Sequence, residues 1–580
     1  MAGILKKLKS RYSEAGIAGI LGSARRRFRS YLETRQYRQW IKKFDTLTDA
    51  KRESIRSRIA EFEPRILISV VMPVFNTPDV FLRKAIDSVC GQLYSNWELC
   101  IADDSSTLPH IRNILDEYSA RDARIKIVYR RENGHISAAS NSALEIAKGV
   151  FTVLMDHDDL ISPHALALVA EAIECFPEAV LIYSDEDQID EHDRRFAPKF
   201  KPDWSPELFY SMNMLTHLSA YRTELLREVG GFRIGYEGSQ DYDLSLRVIE
   251  KTDTRSIHHI PHVLYHWRAL AGSAAASLNA KPYAYVNARR SLNEYFERNG
   301  INAHSVEGYR QTNRTIYSLP EKKPKVSIIM FGSVSDEPEK LLRGTDYESL
   351  EILLFGEAGK SFSDERVRYI DDTGSLYASL NSAARAANGD VLCFLSAGSN
   401  FEQRDWLTES VSIAVQKDIG AVGSKVLYPD GRIKHAGYLL GIHEGIGRAY
   451  RGARASDPGR NMRLAVAQNV SAVSVDCMAI RRDVFEGSRG FEEGFGGSHA
   501  EVDLCLQLLS KGYRNVWTPW STVKQSSSPK LKNNVGLRAL VQRWQELFDN
   551  DPYYNPNLTR NSEDYALAFP PNFSNADREE

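Results

Sequence analysis

Phe151-Thr152-Val153-Leu154-Met155-Asp156-His157-Asp158-Asp159 is the stretch on which the reading of the fold turns. Five strand-forming residues run straight into four polar ones. Such a run reads as a short buried strand, and the acids as the loop at its carboxyl end. Ile68-Ser69-Val70-Val71-Met72-Pro73 is a similar run, closed by proline. Trp97 to Ala102 is a third, closed by Asp103-Asp104-Ser105-Ser106, and Ile125 to Tyr129 a fourth. Between them the spacing predicts helices over Phe81–Cys90, Ile111–Ser119 and Ala138–Ala147. This alternation predicts an α/β fold, a mostly parallel sheet with helices on both faces. Ligands of such sheets bind beyond the carboxyl ends of the strands, where two acidic clusters stand here.

Further along, the pattern returns. Val326-Ser327-Ile328-Ile329-Met330 echoes Ile68 to Met72, and Asn381-Ser382-Ala383 with Gly389 echoes Asn141-Ser142-Ala143 with Gly149. Arg489-Gly490-Phe491 echoes Gly230-Gly231-Phe232, and Val502-Asp503-Leu504 echoes Tyr242-Asp243-Leu244. Matched segments in one order, about a domain length apart, indicate two copies of one fold. The expected organisation is a basic helical segment over 1–64, a first α/β domain over 65–318, a second over 325–530, and a C-terminal helix and tail over 531–580. The tail is read as packing, with no chemistry attached.

Composition narrows the class. The 580 residues carry a formal net charge of -2, so bulk charge does not point to nucleic acid. The six cysteines form no CxxC pair, which argues against a zinc site and for a reducing compartment. No apolar run approaches the ~20 residues needed to cross a bilayer, and no secretory signal is legible. A cytoplasmic protein is the default expectation. Lys6, Lys7, Lys9, Arg11, Arg25, Arg26, Arg27, Arg29, Arg35, Arg38, Lys42 and Lys43 crowd the first segment among apolar residues. Such a segment lies on an anionic membrane leaflet as a peripheral contact, or packs on the next domain as a solvated helix.

Asp156-x-Asp158 at a strand end suits a divalent ion shared between carboxylates and donor phosphates. Alternate residues of an extended segment project oppositely, so one acid can face the ribose while the other meets the ion. Asp103-Asp104 either accepts a hydrogen bond from a pyrimidine ring N–H or forms an Asx turn opening the next helix. Asp241, in Gly238-Ser239-Gln240-Asp241-Tyr242-Asp243-Leu244, is a general base or an ordinary first-turn acid. His266, in Leu264-Tyr265-His266-Trp267-Arg268, is a late metal ligand or a structural histidine among aromatics. Trp204 and Trp267 stack on sugar faces or fill the core. Asp185-Glu186-Asp187 faces an acceptor or forms a solvated turn.

Taken together, Val71-Met72-Pro73-Val74-Phe75-Asn76, Asp103 to Ser106, Asn133 to Asn141, Asp156 to Asp159, Ser184 to Asp187, Gly238 to Leu244 and Tyr265 to Arg268 resemble the family 2 glycosyltransferases of the GT-A fold, over roughly Ile66 to Ala275. The whole chain is similar to the tandem two-domain enzymes of O-antigen and related polysaccharide assembly, often rhamnosyltransferase-like, as is the tail Asp551-Pro552-Tyr553-Tyr554-Asn555-Pro556. The resemblance implies two tandem GT-A domains. It also implies Mg2+- or Mn2+-dependent, inverting transfer from a dTDP-, UDP- or GDP-sugar to a lipid-linked or growing bacterial surface polysaccharide. It implies that Pro73, Asp103 and Asp104 hold the nucleotide and Asp156 the ribose. Asp158 and His266 would hold the metal, and Asp241 would be the catalytic base. Asp185, Asp187, Trp204, Trp267 and Arg268 are the acceptor candidates.

The second copy departs from this pattern. Ser396-Ala397-Gly398-Ser399 stands where Asp156 to Asp159 stand, and Gly356-Glu357 replaces Asp103-Asp104. Lys524 or Gln525 falls at His266, while Glu501 keeps a carboxylate at the position of Asp241. The expectation is a noncatalytic second domain, in which Arg432, Lys434, His435 and Arg448 contact glycan or are surface charges. The competing readings are a bifunctional enzyme and a noncatalytic glycan-binding scaffold. A nucleotidyltransferase is disfavoured, because Pro73-Val74-Phe75-Asn76 is no glycine-rich basic phosphate loop.

Overall fold

The first strand, β1 (Ile68–Val74), is buried along its whole length. Its side chains alternate between two cores, as a pleated strand covered on both faces requires. Ile68, Val70, Met72 and Val74 join one cluster, Val71 the other. The helices Asp79–Cys90 and Pro109–Arg121 cover the first face. Each buries four residues at i, i+3, i+4, i+7 spacing: Leu82, Ala85, Ile86 and Val89, then Ile111, Ile114, Leu115 and Tyr118. The helices His135–Ile146 and Gln240–Ile249 cover the second face through Ala139, Ala143, Leu244 and Leu246. The computed structural model describes residues 31–62, 66–270, 282–332, 337–355, 364–495, 497–525 and 535–573.

The remaining strands of the first sheet are β2 (Trp97–Asp103), β3 (Ile125–Tyr129), β4 (Phe151–Leu154), β5 (Leu160–Ile161), β6 (Leu181–Ile189), β7 (Arg195–Lys199), β8 (Ser219–Arg222) and β9 (Ile257–Arg268). They lie in the order β3-β2-β1-β4-β8-β6-β9-β5, with β7 beside β6. The pairs β3-β2, β2-β1, β1-β4 and β6-β9 are parallel, while β8 runs antiparallel to both β4 and β6. The carboxyl ends of β1, β2 and β4 therefore open on one edge.

The second sheet repeats this order strand for strand: Val367–Ile370, Leu350–Phe355, Val326–Phe331, Val391–Ser396, Cys477–Arg481, Ile419–Leu427, Arg514–Gln525 and Ser399–Phe401. The fold is thus mixed α/β, with two tandem units that share one strand order. The repeated residues turn out to be those that hold backbone. Asn141 grips both polar groups of Phe232, and Asn381 does the same to Phe491, all at 2.8–2.9 Å. Gly149 and Gly389 each leave no room for a Cβ, which would come within 2.5 Å of the backbone N of Ser69 or Ser327.

The units meet over several polar contacts. Asn469 accepts from Ser205 Oγ at 2.9 Å, and Arg514 pairs with Glu207 at 3.2 Å. The tail joins both. Asp551 accepts from Leu440 N–H and Ser471 Oγ in the second unit, while Asn555 and Asn557 donate to Asp185 in the first. Residues 1–30, with most of the basic segment, lie outside the described residues. Of the rest, Arg35, Arg38, Lys42 and Lys43 are exposed, whereas Tyr37 and Trp40 are buried against Phe200. No helix among the described residues is long and apolar enough to cross a membrane.

Candidate functional site

Three loops meet at the open edge. Near the end of β1, Pro73 is buried opposite Ala102, and beyond the strand Asn76 takes the N–H groups of Thr107 and Leu108 at 2.9 and 3.1 Å. After β2, the two acids divide their work. Asp103 Oδ1 accepts Ser106 N–H at 3.3 Å, the Asx-type arrangement. Asp104 Oδ1 accepts Gly134 N–H at 2.9 Å and Arg130 Nε at 2.8 Å. Gly134 fits closely there: a Cβ would sit 2.6 Å from the Arg130 guanidinium and 2.8 Å from Ala138 Cβ.

After β4 comes the acid turn. Asp159 N–H returns to Asp156 O, and Asp159 itself is fully buried. Burial pushes the Asp159 carboxyl well up, with Asp158 and Asp156 adding to it. Burial also raises Asp158, against the pull of His157 and with the push of Asp156. Three carboxylates within four residues thus repel one another in a partly desolvated place, and a divalent cation would relieve that repulsion.

The partner that completes the cluster is His217. Ligand atoms of Asp156, Asp159 and His217 all lie within 4.8 Å of one another. Oxygen and imidazole donors with no thiolate suit Mg2+ or Mn2+. The register explains the meeting: β4 pairs with β8 as Phe151–Arg222, Thr152–Tyr221 and Val153–Ala220. Continuing it three residues sets Asp156 across from His217. Asp241, in the first turn of its helix, accepts from Asn213 Nδ2 at 3.0 Å. Burial raises its carboxyl, with His217 pulling it down and Asp156 pushing it up, so Asp241 feels two members of the cluster.

Several expected residues lie elsewhere. His266 has Nδ1 2.6 Å from Asp187 Oδ1 and Nε2 3.0 Å from Ser162 Oγ, so both ring nitrogens are spent inside the protein. It is not a member of the ligand cluster. Asp158 is also outside that cluster; its carbonyl accepts Arg268 Nε at 2.6 Å. Asp185 to Asp187 form no turn: they sit mid-strand in β6, each no more than 1% exposed. Asp185 accepts Lys201 N–H at 2.8 Å and meets His259 Nε2 at 2.9 Å, besides the tail asparagines. Asp187 accepts from Tyr37 Oη at 2.7 Å and Arg195 Nε at 2.5 Å. Such filled acids have no capacity left for an acceptor. Burial pushes Glu186 up, but Lys199 and Lys201 outweigh it and hold that carboxyl at about 2.

Arg268 is a strut of the acid turn, since its N–H also donates to Asp159 Oδ1 at 2.7 Å and its guanidinium reaches Asp193 at 2.6 Å. Trp267 stays at the edge of the site, 5.7 Å from the His217 ring and under Lys199. Trp204 packs 5.2 Å from Phe209 and walls a cleft of about 1530 Å³ between the units and the tail, away from the acid turn. This cleft is therefore not the acidic site.

The second unit fills the equivalent place with its own side chains. Ser396 N–H donates to Asp476 O at 3.1 Å, so Asp476 holds the position of His217. Lys434 Nζ reaches Asp476 Oδ2 at 2.6 Å and also bonds Gln525. Glu501 accepts from Tyr438 Oη and from Val475 N–H. Lys434 and His435 are each 2% exposed, so they are interior groups and neither surface charges nor glycan contacts. Gly356 and Glu357 fall outside the described residues.

Residues 69–230 match the family described as Glycosyl transferase family 2. The chain is 39% identical over 557 residues to the uncharacterized protein y4gI of Sinorhizobium fredii, covering 90% of this chain and 61% of that one. It is 34% identical over 550 residues to the O-antigen biosynthesis protein RfbC of Myxococcus xanthus, covering 89% of this chain and 42% of that one. It is 26% identical over 252 residues to chondroitin synthase of Escherichia coli, covering 43% and 35%. The chain thus spans about half the length of the first two relatives.

Proposed function

Because residues 69–230 match glycosyl transferase family 2, we propose that the first unit moves a sugar from a nucleotide-sugar donor onto a bacterial surface polysaccharide such as O-antigen. The observation that carries the proposal is the cluster of Asp156, Asp159 and His217 beyond the carboxyl end of β4, with Asp241 near enough to feel both Asp156 and His217. In this reading Asp104 receives the base N–H, and the acid turn receives the ribose and diphosphate. Asp156, Asp159 and His217 would hold Mg2+ or Mn2+, with Asp158 beside them. A bound ion supplies neutralisation of the diphosphate charge.

The displacement is single. Asp241 takes the proton of the acceptor hydroxyl while that oxygen bonds the anomeric carbon. The bond from that carbon to the diphosphate oxygen breaks, and the nucleoside diphosphate leaves with the electron pair. One base and no protein nucleophile suffice, so the outcome is inversion. We read the acceptor as a lipid-linked oligosaccharide, met at an anionic membrane face through the basic residues of 1–43; similarity to an O-antigen biosynthesis protein supports the polysaccharide part of this reading. The second unit is read as noncatalytic, because Ser396, Ser399 and the Lys434–Asp476 pair replace the acid cluster.

The test is metal-dependent nucleoside diphosphate release from dTDP-, UDP- and GDP-sugars, dTDP-rhamnose among them. Wild-type release that EDTA abolishes and that Asp241→Asn lowers by roughly 10²- to 10⁴-fold is expected. Full turnover under exhaustive EDTA would sink the proposal.

A further inference from the structure

Tyr265 lies on β9, fully buried. Its hydroxyl accepts Asp156 N–H at 3.1 Å and donates to Asp159 Oδ2 at 2.6 Å. Its ring lies parallel to the His217 imidazole, 4.4 Å between centroids and 12° between planes. One side chain therefore touches all three members of the ligand cluster, each by a different contact. From this geometry we infer that Tyr265 is the positioning residue of the cation site, an inference that rests on the metal-dependent reading above.

Each contact removes a different freedom. The bond to Asp159 fixes the rotation of its carboxylate and leaves the remaining lone pairs for an ion. The bond from Asp156 N–H holds the first residue of the turn at the strand end. The stack fixes the plane of the His217 ring, which stands on an irregular segment. Partners of this kind commonly set ligand orientation and contribute roughly 10- to 100-fold to metal affinity.

The second unit supplies an internal control. Ile161 pairs with Tyr265 where Phe401 pairs with Val523. The unit that has serines in place of the acids thus has a valine in place of the phenol. A tyrosine that merely filled the core would have no reason to depart with the acids.

The experiment titrates the full chain with Mn2+, alone and with UDP, followed by electron paramagnetic resonance. Tyr265→Phe keeps the ring and the stack but loses both hydrogen bonds. Its Mn2+ Kd is expected to rise roughly 10- to 100-fold. Tyr183→Phe is the control, since that buried hydroxyl bonds only Pro202 O at 2.7 Å and is expected to leave the Kd unchanged. An unaltered Kd in Tyr265→Phe, or an equal loss in Tyr183→Phe, overturns the inference. Wild type that binds no Mn2+ in either condition overturns the metal reading itself. Hydrogen exchange of unmutated protein is the variant-free measurement. Mn2+ is expected to slow both 156–162 and 263–268, and slowing of the first segment alone counts against Tyr265.

Discussion

His217 and His266 are two imidazoles near one acidic pocket with opposite fates. His217 faces the Asp156 carboxylate across the β4–β8 pair, while His266 is pinned between Asp187 and Ser162. His217→Ala is expected to weaken Mn2+ binding roughly 10- to 100-fold with little loss of stability. His266→Ala is expected to do the reverse, because it leaves the fully buried Asp187 short of a partner, at a cost of about 1–3 kcal/mol in denaturant unfolding. Asp241 adds a pH signature. As the base it must be ionised, and burial raises its carboxyl. The rate kcat/KM should therefore rise with pH along a limb displaced above that of an ordinary carboxylate, then level off. A flat profile through the acid range would remove Asp241 from the role.

At the scale of elements, the helix His499–Ser510 shows what becomes of a site whose acids are gone. Glu501 keeps the register of Asp241 but points into a closed network with Tyr438 and Val475. Burial pushes its carboxyl from the ordinary 4.5 up to about 7, against the hydrogen bond from Tyr438. The folded protein thus holds this proton more tightly than the unfolded chain. The contribution to stability is full below the ordinary value and is lost as pH rises through about 7. Glu501→Gln should be nearly insensitive to pH over that window, and at pH ~8 it should exceed wild type by up to about 3 kcal/mol. Urea unfolding at both ends of the range checks it, and parallel pH dependence of the two proteins would refute it. Lys434 and Asp476 form a buried ion pair, 2.6 Å apart. Lys434→Ala strands a buried carboxylate and should cost about 3–5 kcal/mol.

Across the whole molecule, the tail clasps the two units. Asp551 serves the second and Asn555 the first, four residues on, and Asn555 donates both to Asp185 and to Lys201 O. Asn555→Ala should lower stability by about 1–3 kcal/mol, read from the urea midpoint; an unchanged midpoint would show that the clasp carries no energy. Much of this architecture was legible in residue order. Apolar runs, closed by proline at β1 and by acids at β2 and β4, marked these strands, and helical spacing marked their cover. The Asn141/Asn381 and Gly149/Gly389 echoes marked the repeat, because each such residue satisfies or admits backbone in its own neighbourhood. The acids themselves were legible as a group. Their division of labour was not, since Asp185 and Asp187 looked like a solvated turn until β7, β9 and the tail closed over them. Local spacing by itself determined where strands, helices and the acid turn lie, because side-chain period and burial preference act over a few residues. Only the tertiary structure decided which histidine meets the acid turn, which acids are consumed as struts, and that Tyr265 touches all three members of the cluster. Those choices depend on the antiparallel register of β8 and the placing of β9, which bring together residues scores of positions apart.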